Sequence, residues 1–177
     1  MVIAGDLLDR LGPALNSRRA IFLYGHAGTG KTYTARRLAS VLSGLVLVPH
    51  AIAVNETVVE VFDPQCHEQL AFSNPPLPTM LDQGFDPRYV PCERPIVVTG
   101  GELSADMLEL QFDPATRSYS APIQLKANNG FLLIDDLGRQ RVVPSVLFNR
   151  WIVPMDSQQD SLVTNRGHHF QVPFDLV

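Results

Sequence analysis

The sequence has few of the features that mark secreted or membrane-bound proteins. It contains two cysteines, Cys66 and Cys92, which fit neither a C-x-x-C motif nor a zinc spacing. We interpret them as free thiols, which is typical of a reducing compartment. The N-terminus lacks the basic stretch and apolar core of a signal peptide. No apolar run approaches the ~20 residues that a membrane helix needs. These absences predict a cytoplasmic protein with no membrane partner.

Positive charge is also scarce, which limits the classes of partner. Lysine and arginine number 14 against 18 acidic residues, giving a net charge of -4 and a pI near 5.7. Bulk charge of this kind gives no support for a nucleic-acid partner. Hydrophobic residues make up 45% and charged residues 18%, which is ordinary for a globular protein. A chain of 177 residues is most simply one domain, spanning residues 1–177.

The stretch that carries the most chemical information is residues 25–32, which read GHAGTGKT. It fits the phosphate-binding pattern G-x-x-x-x-G-K-[ST]. Glycines allow backbone conformations that bring N–H groups close to an anion. We expect Lys31 to reach the β- and γ-phosphates and Thr32 to place its hydroxyl on Mg²⁺. The predicted nucleotide-binding residues are Gly25, His26, Ala27, Gly28, Thr29, Gly30, Lys31, Thr32 and Tyr33.

The pattern is meaningful only between a strand and a helix, and the sequence predicts both. Residues 20–24 (AIFLY) form an apolar run, as expected for a strand that is buried on both faces. After the motif, Ala35, Leu38, Ala39 and Leu42 recur at the spacing of one helix face. A helix that starts here directs its positive N-terminal end at the phosphates.

A second landmark is an apolar strand followed by two carboxylates. Residues 131–134 (FLLI) precede Asp135 and Asp136. In a phosphate-loop protein one such carboxylate holds Mg²⁺, normally through water. The other can orient or deprotonate the attacking water. We assign Asp135 to the metal and Asp136 to the base, with Lys31 as the second catalytic residue.

Elsewhere the sequence predicts helices and loops that carry no recognisable chemical motif. Residues 6–15 favour a short helix that Gly12 and Pro13 interrupt. Residues 64–95 are rich in proline, which removes backbone donors, and we expect a surface excursion without regular structure. Residues 102–110 favour a helix, because Leu103, Met107 and Leu110 lie at helical spacing. Residues 113–126 favour a loop with one strand near 123–125.

The C-terminal third predicts a helix that starts at Pro144, with Leu147, Trp151 and Met155 on one face, and then a hairpin over residues 160–172. His168 and His169 are adjacent on the hairpin and point to opposite faces, so we interpret them as exposed residues rather than metal ligands. Two interpretations stay open for the three arginines that follow the acidic pair: they are solvated charges, or they face a neighbouring subunit. These residues are Arg139, Arg141 and Arg150.

The sequence resembles the AAA+ ATPases. The resemblance is carried by GHAGTGKT, by FLLIDD and by the order of helix and hairpin over residues 144–177. This last stretch is similar to the MoxR-like and magnesium-chelatase-like branch. The resemblance implies an α/β fold of the P-loop NTPase type. Its three-layer core would contain a parallel sheet of strand order 5-1-4-3-2, incomplete at the C-terminus.

The resemblance also implies a function and partners. AAA+ proteins bind ATP with Mg²⁺, hydrolyse it to ADP and act as rings in which a neighbour supplies an arginine, so we expect a homo-oligomer that remodels a protein substrate. The sequence departs from the family in having Asp136 where a longer glutamate is usual. It also stops at Val177, before the sensor residue, the arginine finger and the helical lid. We therefore expect residues 1–177 to bind ATP but to hydrolyse it slowly.

Two other functions remain open at this point. One is a P-loop kinase that passes the γ-phosphate to a small molecule, although no arginine-rich lid segment is present and the Asp–Asp pair suits activation of water. The other is a nucleotide-dependent binding module without useful turnover. Phosphate release with and without candidate acceptors distinguishes the three.

Overall fold

The structure is a computed structural model that describes residues 5–17, 19–42, 44–70 and 86–177, with the backbone alone described for residues 5–10. The helices are α1 Gly5–Asn16, α2 Lys31–Val41, α3 Ile123–Lys126 and α4 Pro144–Ser157, with a 3₁₀ turn at Ala105–Leu108. The strands are β1 Leu45–Pro49, β2 Ala51–Val54, β3 Thr57–Glu60, β4 Tyr89–Glu93, β5 Ile96–Thr99, β6 Gln111–Asp113, β7 Ser118–Ser120, β8 Phe131–Ile134, β9 Gln159–Val163 and β10 His169–Pro173.

Strand β8 lies between two neighbours. On one side it pairs in parallel with β5. On the other side the Leu132 N–H donates to the carbonyl oxygen of Val177 at 3.0 Å, and the Val177 N–H donates to that of Gly130 at 3.1 Å. Because parallel strands end at the same edge of a sheet, the residues after β5 and β8 meet there. The Asp135 N–H accordingly donates to the carbonyl oxygen of Thr99 at 2.8 Å.

Side chains of β8 contribute to two apolar clusters. Phe131 packs with Leu15 of α1 and Ala39 of α2. Leu132 packs in a second cluster with buried Leu147 and Trp151 of α4. Adjacent residues of a strand point to opposite faces, so the two clusters place α1 and α2 against one face of β8 and α4 against the other. This packing fixes the direction in which β8 presents the residues after Ile134.

The other strands form three further sheets within the described residues. They are the antiparallel pair β1–β4, the sheet β2-β3-β7-β6 and the hairpin β9–β10. The hairpin agrees with the prediction for residues 160–172. The α/β composition is confirmed, but the expected continuous parallel sheet is not what these residues form. Among the described residues the parallel core consists of the β5–β8 pair and the hydrogen bonds between β8 and Val177. Strands β3 and β7 make a second, short parallel contact.

The predicted strand over residues 20–24 is wrong. These residues form no ladder, and the side chains of Phe22 and Tyr24 are exposed. An apolar run needs a neighbouring strand for its backbone groups, and within the described part of the chain no strand pairs with residues 20–24. Ile21 nevertheless packs against the cluster that contains Phe131, so the segment lies close to β8 without pairing.

Three helix predictions also need correction. Helix α1 runs through Gly12 and Pro13 without interruption. Residues 102–110 form only the 3₁₀ turn, because the carbonyl oxygen of Leu103 accepts from the Val142 N–H at 3.2 Å and is not used within a helix. In α4 the buried face is completed by Pro154, while Met155 is 41% exposed.

The proline-rich excursion is not irregular throughout. Strand β4 lies inside it and pairs with β1, while residues 71–85 lie outside the described part. The Glu93 N–H donates to the carbonyl oxygen of Glu68 at 2.9 Å. The backbone N–H and C=O groups at the odd-numbered positions of β4 therefore point away from β1. The nitrogen of Pro91 faces the same way, and the ladder with β1 therefore loses no donor. Residues 113–126, predicted as loop, contain β7 and α3.

Gly130, immediately before β8, is expected to tolerate no side chain. A Cβ there would overlap the carbonyl oxygen of Pro95, which accepts from the Phe131 N–H. We predict that Gly130→Ala lowers the free energy of unfolding by about 3 kcal/mol and the melting temperature by roughly 6–12 °C, as measured by thermal unfolding. Gly12→Ala in α1 is the matched control, because a Cβ there meets nothing within 4 Å. Equal melting temperatures for the two variants would show that the overlap is relieved without cost.

Candidate nucleotide and metal site

The loop of residues 25–30 has the backbone conformations that its glycines permit. Gly25, Gly28 and Gly30 have φ values of 148°, 79° and 81°, a region that other residues rarely adopt. A Cβ on Gly28 would meet nothing within 4 Å, so the backbone angle rather than crowding favours glycine there. The loop leads directly into α2, which begins at Lys31.

The N-terminus of α2 offers backbone donors to an anion. The first helical hydrogen bond is donated by the Thr34 N–H to the carbonyl oxygen of Gly30 at 2.9 Å. The N–H groups of Lys31, Thr32 and Tyr33 precede it and have no acceptor within the helix. No side chain caps this end, and its first turn holds no acidic residue. This leaves the positive end of the helix open to a phosphate.

Lys31 folds back over the loop. Its Nζ donates to the carbonyl oxygens of Gly25 at 2.9 Å and His26 at 2.7 Å. The hydroxyl of Thr29 also donates to the His26 carbonyl, at 2.9 Å. Ala27 is exposed at the tip of the loop. Backbone carbonyl oxygens of the loop thus hold the ammonium group close to Gly25 and His26.

Thr32 and Asp135 are brought together from positions 103 residues apart. The Thr32 hydroxyl donates to Oδ1 of Asp135 at 2.9 Å, well inside the ~8 Å limit that a water-bridged cation between them would set. A hydroxyl and a carboxylate are oxygen ligands of the type that Mg²⁺ takes, together with waters and substrate phosphates. The donor set at this pair therefore suits Mg²⁺. Within the described residues no group of three or more His, Cys, Asp or Glu could hold a metal ion, but Mg²⁺ bound with a nucleotide does not need one.

Asp136 lies just beyond the end of β8 with an exposed carboxylate. Its Oδ2 accepts from the guanidinium of Arg139 at 3.3 Å, an exposed contact of small energy. Its backbone has φ 50°, in the left-handed region that aspartate tolerates better than most residues. The Asp136 N–H donates to Oδ1 of Asp135 at 3.1 Å, so the two acidic residues share one hydrogen-bond network with Thr32.

Two further residues that the sequence singles out, Tyr33 and Arg150, contact other side chains. Tyr33 is half-exposed on α2 and contacts Arg37. Arg150 fits neither interpretation given above, because it is mostly buried and pairs with Asp160 at 2.6 Å and Glu109 at 2.7 Å.

Arg139 and Arg141 are exposed, as is His169, whereas His168 is partly buried in the connection just before β10. The structure therefore leaves two of the three arginines at the surface and brings neither histidine to the phosphate loop.

Both cysteines are free. Cys92 is buried and Cys66 half-buried, and burial raises the pKa of each thiol. A raised pKa suppresses the thiolate form that acts as nucleophile or metal ligand.

Sequence reasoning missed two side chains at the same edge. Gln140 contacts the backbone of both acidic residues, and no motif marks it. Glu102 accepts from the Gly100 N–H at 2.8 Å and from the Thr99 hydroxyl at 3.2 Å. The first of these hydrogen bonds is the main cause that holds the pKa of the Glu102 carboxyl below its ordinary value. The position of Glu102, just after a strand that pairs in parallel with β8, could have indicated that it lies near the acidic residues.

Comparison with known proteins supports the fold. No protein-family model matches the chain, and no curated protein does. Among solved structures, the chain is similar to a cryo-EM structure of the complex between subunits BchI and BchD of magnesium chelatase, with a TM-score of 0.53 and 20% identity. The match covers 97% of this chain and 49% of that chain, so the chain spans about half of that protein. At this identity the likeness is one of fold, and it agrees with the AAA+ resemblance of the sequence.

None of the helices described is long and apolar enough to cross a membrane.

Proposed function

We propose that this chain binds ATP with Mg²⁺ and hydrolyses its β–γ bond, as an ATPase of the AAA+ type. The observation that carries the proposal is the hydrogen bond between the Thr32 hydroxyl and the Asp135 carboxylate, at 2.9 Å. It lies beside the first turn of α2, whose N–H groups are uncapped. A phosphate site and a cation site at adjacent positions are what a magnesium–nucleotide complex requires.

Each residue has a distinct part in the proposed reaction. The N–H groups of the loop and of the first turn of α2 bind phosphate oxygens. Lys31 exchanges its two carbonyl contacts for the β- and γ-phosphates. Thr32 and Asp135 would hold Mg²⁺, which when bound neutralises charge on the phosphates. Asp136 accepts a proton from the attacking water, whose oxygen forms the new bond to the γ-phosphorus as the bond to the β-phosphate oxygen breaks.

We propose further that the chain works in a homo-oligomeric ring that remodels a protein partner. The solved structure to which it is similar is a complex between subunits. Helix α4 also exposes large apolar side chains, with Ile152 63% and Val153 66% exposed. Neighbouring exposed apolar side chains of this kind favour a surface that meets another protein. Mass photometry with and without MgATP tests for nucleotide-dependent assembly.

The hydrolysis proposal is tested by measuring ADP and inorganic phosphate from the same reaction. With Mg²⁺ present, we expect the two products in equal amounts, and EDTA should stop their release. An excess of ADP over phosphate when small-molecule acceptors are added would indicate a kinase. Binding of ATP with no release of either product would indicate a nucleotide-dependent binding module.

A further inference from the structure

Asp136 has a short side chain on a backbone in the left-handed conformation. Aspartate is one methylene shorter than glutamate, so the position of its carboxylate depends more closely on the position of its own Cα. The Asp136 backbone has φ 50°, a conformation that costs an L-residue roughly 1–2 kcal/mol. Such a conformation persists only where surrounding contacts hold it.

The side chain of Gln140 makes contacts of this kind. Its Nε2 donates to the carbonyl oxygen of Asp135 at 2.8 Å and to that of Asp136 at 3.2 Å. Its Oε1 accepts from the Gly138 N–H at 2.7 Å. One half-buried amide therefore bonds to three residues of the turn that follows β8, using both its donor and its acceptor atoms.

The backbone of the turn complements these side-chain contacts. The Arg139 N–H donates to the carbonyl oxygen of Asp136 at 3.0 Å, which closes a turn with Gly138 at φ 101°. On the other side the Asp135 N–H is held by Thr99. The Gln140 contacts thus join the hydrogen-bond network that links Thr32, Asp135 and the backbone of Asp136.

We propose that Gln140 is the positioning residue that sets Asp136 for activation of water. This inference rests on the proposed function, because it gives Gln140 a part in the same hydrolysis. Gln140 acts through the carbonyl oxygens of Asp135 and Asp136 rather than through the substrate. Its loss affects the turn after β8, while the glycine loop and Lys31 belong to another segment. Gln140 bonds to the carbonyl oxygen of Asp135 and not to its carboxylate, which keeps its hydrogen bond from Thr32. Binding and turnover should therefore separate.

The test compares Gln140→Ala with Gln140→Glu in the full chain. Alanine removes all three hydrogen bonds. Glutamate keeps an acceptor for the Gly138 N–H but cannot donate to the two carbonyl oxygens. We expect both variants to lower kcat by about 10- to 100-fold, the effect of a small misplacement of a reacting group, with KM for MgATP within about 3-fold of wild type. Gln171→Ala is the matched control, because Gln171 is exposed on β10 and its loss should change neither value.

The outcomes are distinguishable. Full activity in Gln140→Ala, or restoration of activity by glutamate, would overturn the assignment. Equal losses of ATP affinity and kcat would also overturn it, because they would make Gln140 a support for the whole site. A wild-type chain that binds ATP without hydrolysing it would refute the proposed function itself, and Gln140 would then have no reaction to serve. Circular dichroism at the assay temperature verifies that each variant is folded.

Discussion

Replacing Lys31 with alanine should remove ATP binding and leave the fold intact. The ammonium group lies over the loop at 2.9 and 2.7 Å from two carbonyl oxygens, so it is already placed beside the α2 N-terminus. Removing one partner of a close charge pair costs about 2–5 kcal/mol, and each 1.4 kcal/mol is tenfold in affinity. We therefore expect the dissociation constant of a fluorescent ATP analogue to rise at least about 25-fold, as measured by fluorescence polarisation.

The control for this variant is Arg36→Ala. Arg36 is exposed on the same helix, so the control removes one positive charge without touching the loop. It should change the affinity by less than about 3-fold, since exposed charges are screened at physiological salt. If both variants lose affinity equally, general electrostatic attraction and not the Lys31 contact is responsible. If neither loses affinity, the loop is not the nucleotide site.

The second large effect is expected from Asp136→Asn. Asparagine keeps the size of the side chain and its place after β8 but cannot accept the proton of water. General base catalysis contributes about 10²–10⁴-fold, so kcat for phosphate release should fall from its slow wild-type value toward the uncatalysed rate, by at most this factor. Affinity for MgATP should stay within about 3-fold of wild type, because Asp135 and Thr32 retain their contact.

Asp156→Asn is the matched control for this variant. Asp156 is exposed on α4, and the same change of one oxygen to an amide nitrogen should leave kcat unaltered there. A turnover number that is unchanged in Asp136→Asn would mean that another group activates water. Glu102, at the end of the neighbouring strand, would then be the first carboxylate to test.

The parts of this site that the sequence predicts are those fixed by local chemistry. The glycine pattern determines the loop, and a four-residue apolar run places Asp135 at the end of a buried strand. That Thr32 and Asp135 meet follows because a phosphate loop and the carboxyl end of β8 lie at the same edge. Whether they hold a metal ion stays a prediction.

The parts that could not be predicted depend on contacts distant in sequence. Residues 20–24 have the composition of a strand, but the partner that would complete a ladder cannot be read from composition. Leu103 and Leu108 are both buried but lie five residues apart, a spacing that fits no single helix face. The hydrogen bond from the Val142 N–H to the Leu103 carbonyl oxygen joins residues too distant in sequence for a local pattern to predict it. No sequence pattern marks Gln140, because its role depends on the turn after β8, which brings its amide to two carbonyl oxygens.

The proposed function depends most directly on one property of the chain, which is that residues 25–32 and Asp135 form a magnesium–nucleotide site. Calorimetric titration of the wild-type chain with ATP, in the presence of Mg²⁺ and again with EDTA, measures this property without requiring turnover. We expect one nucleotide per chain and tighter binding with Mg²⁺, with the Mg²⁺ effect lost in Asp135→Asn. The absence of binding at millimolar ATP, or binding that is indifferent to both Mg²⁺ and Asp135, would contradict it.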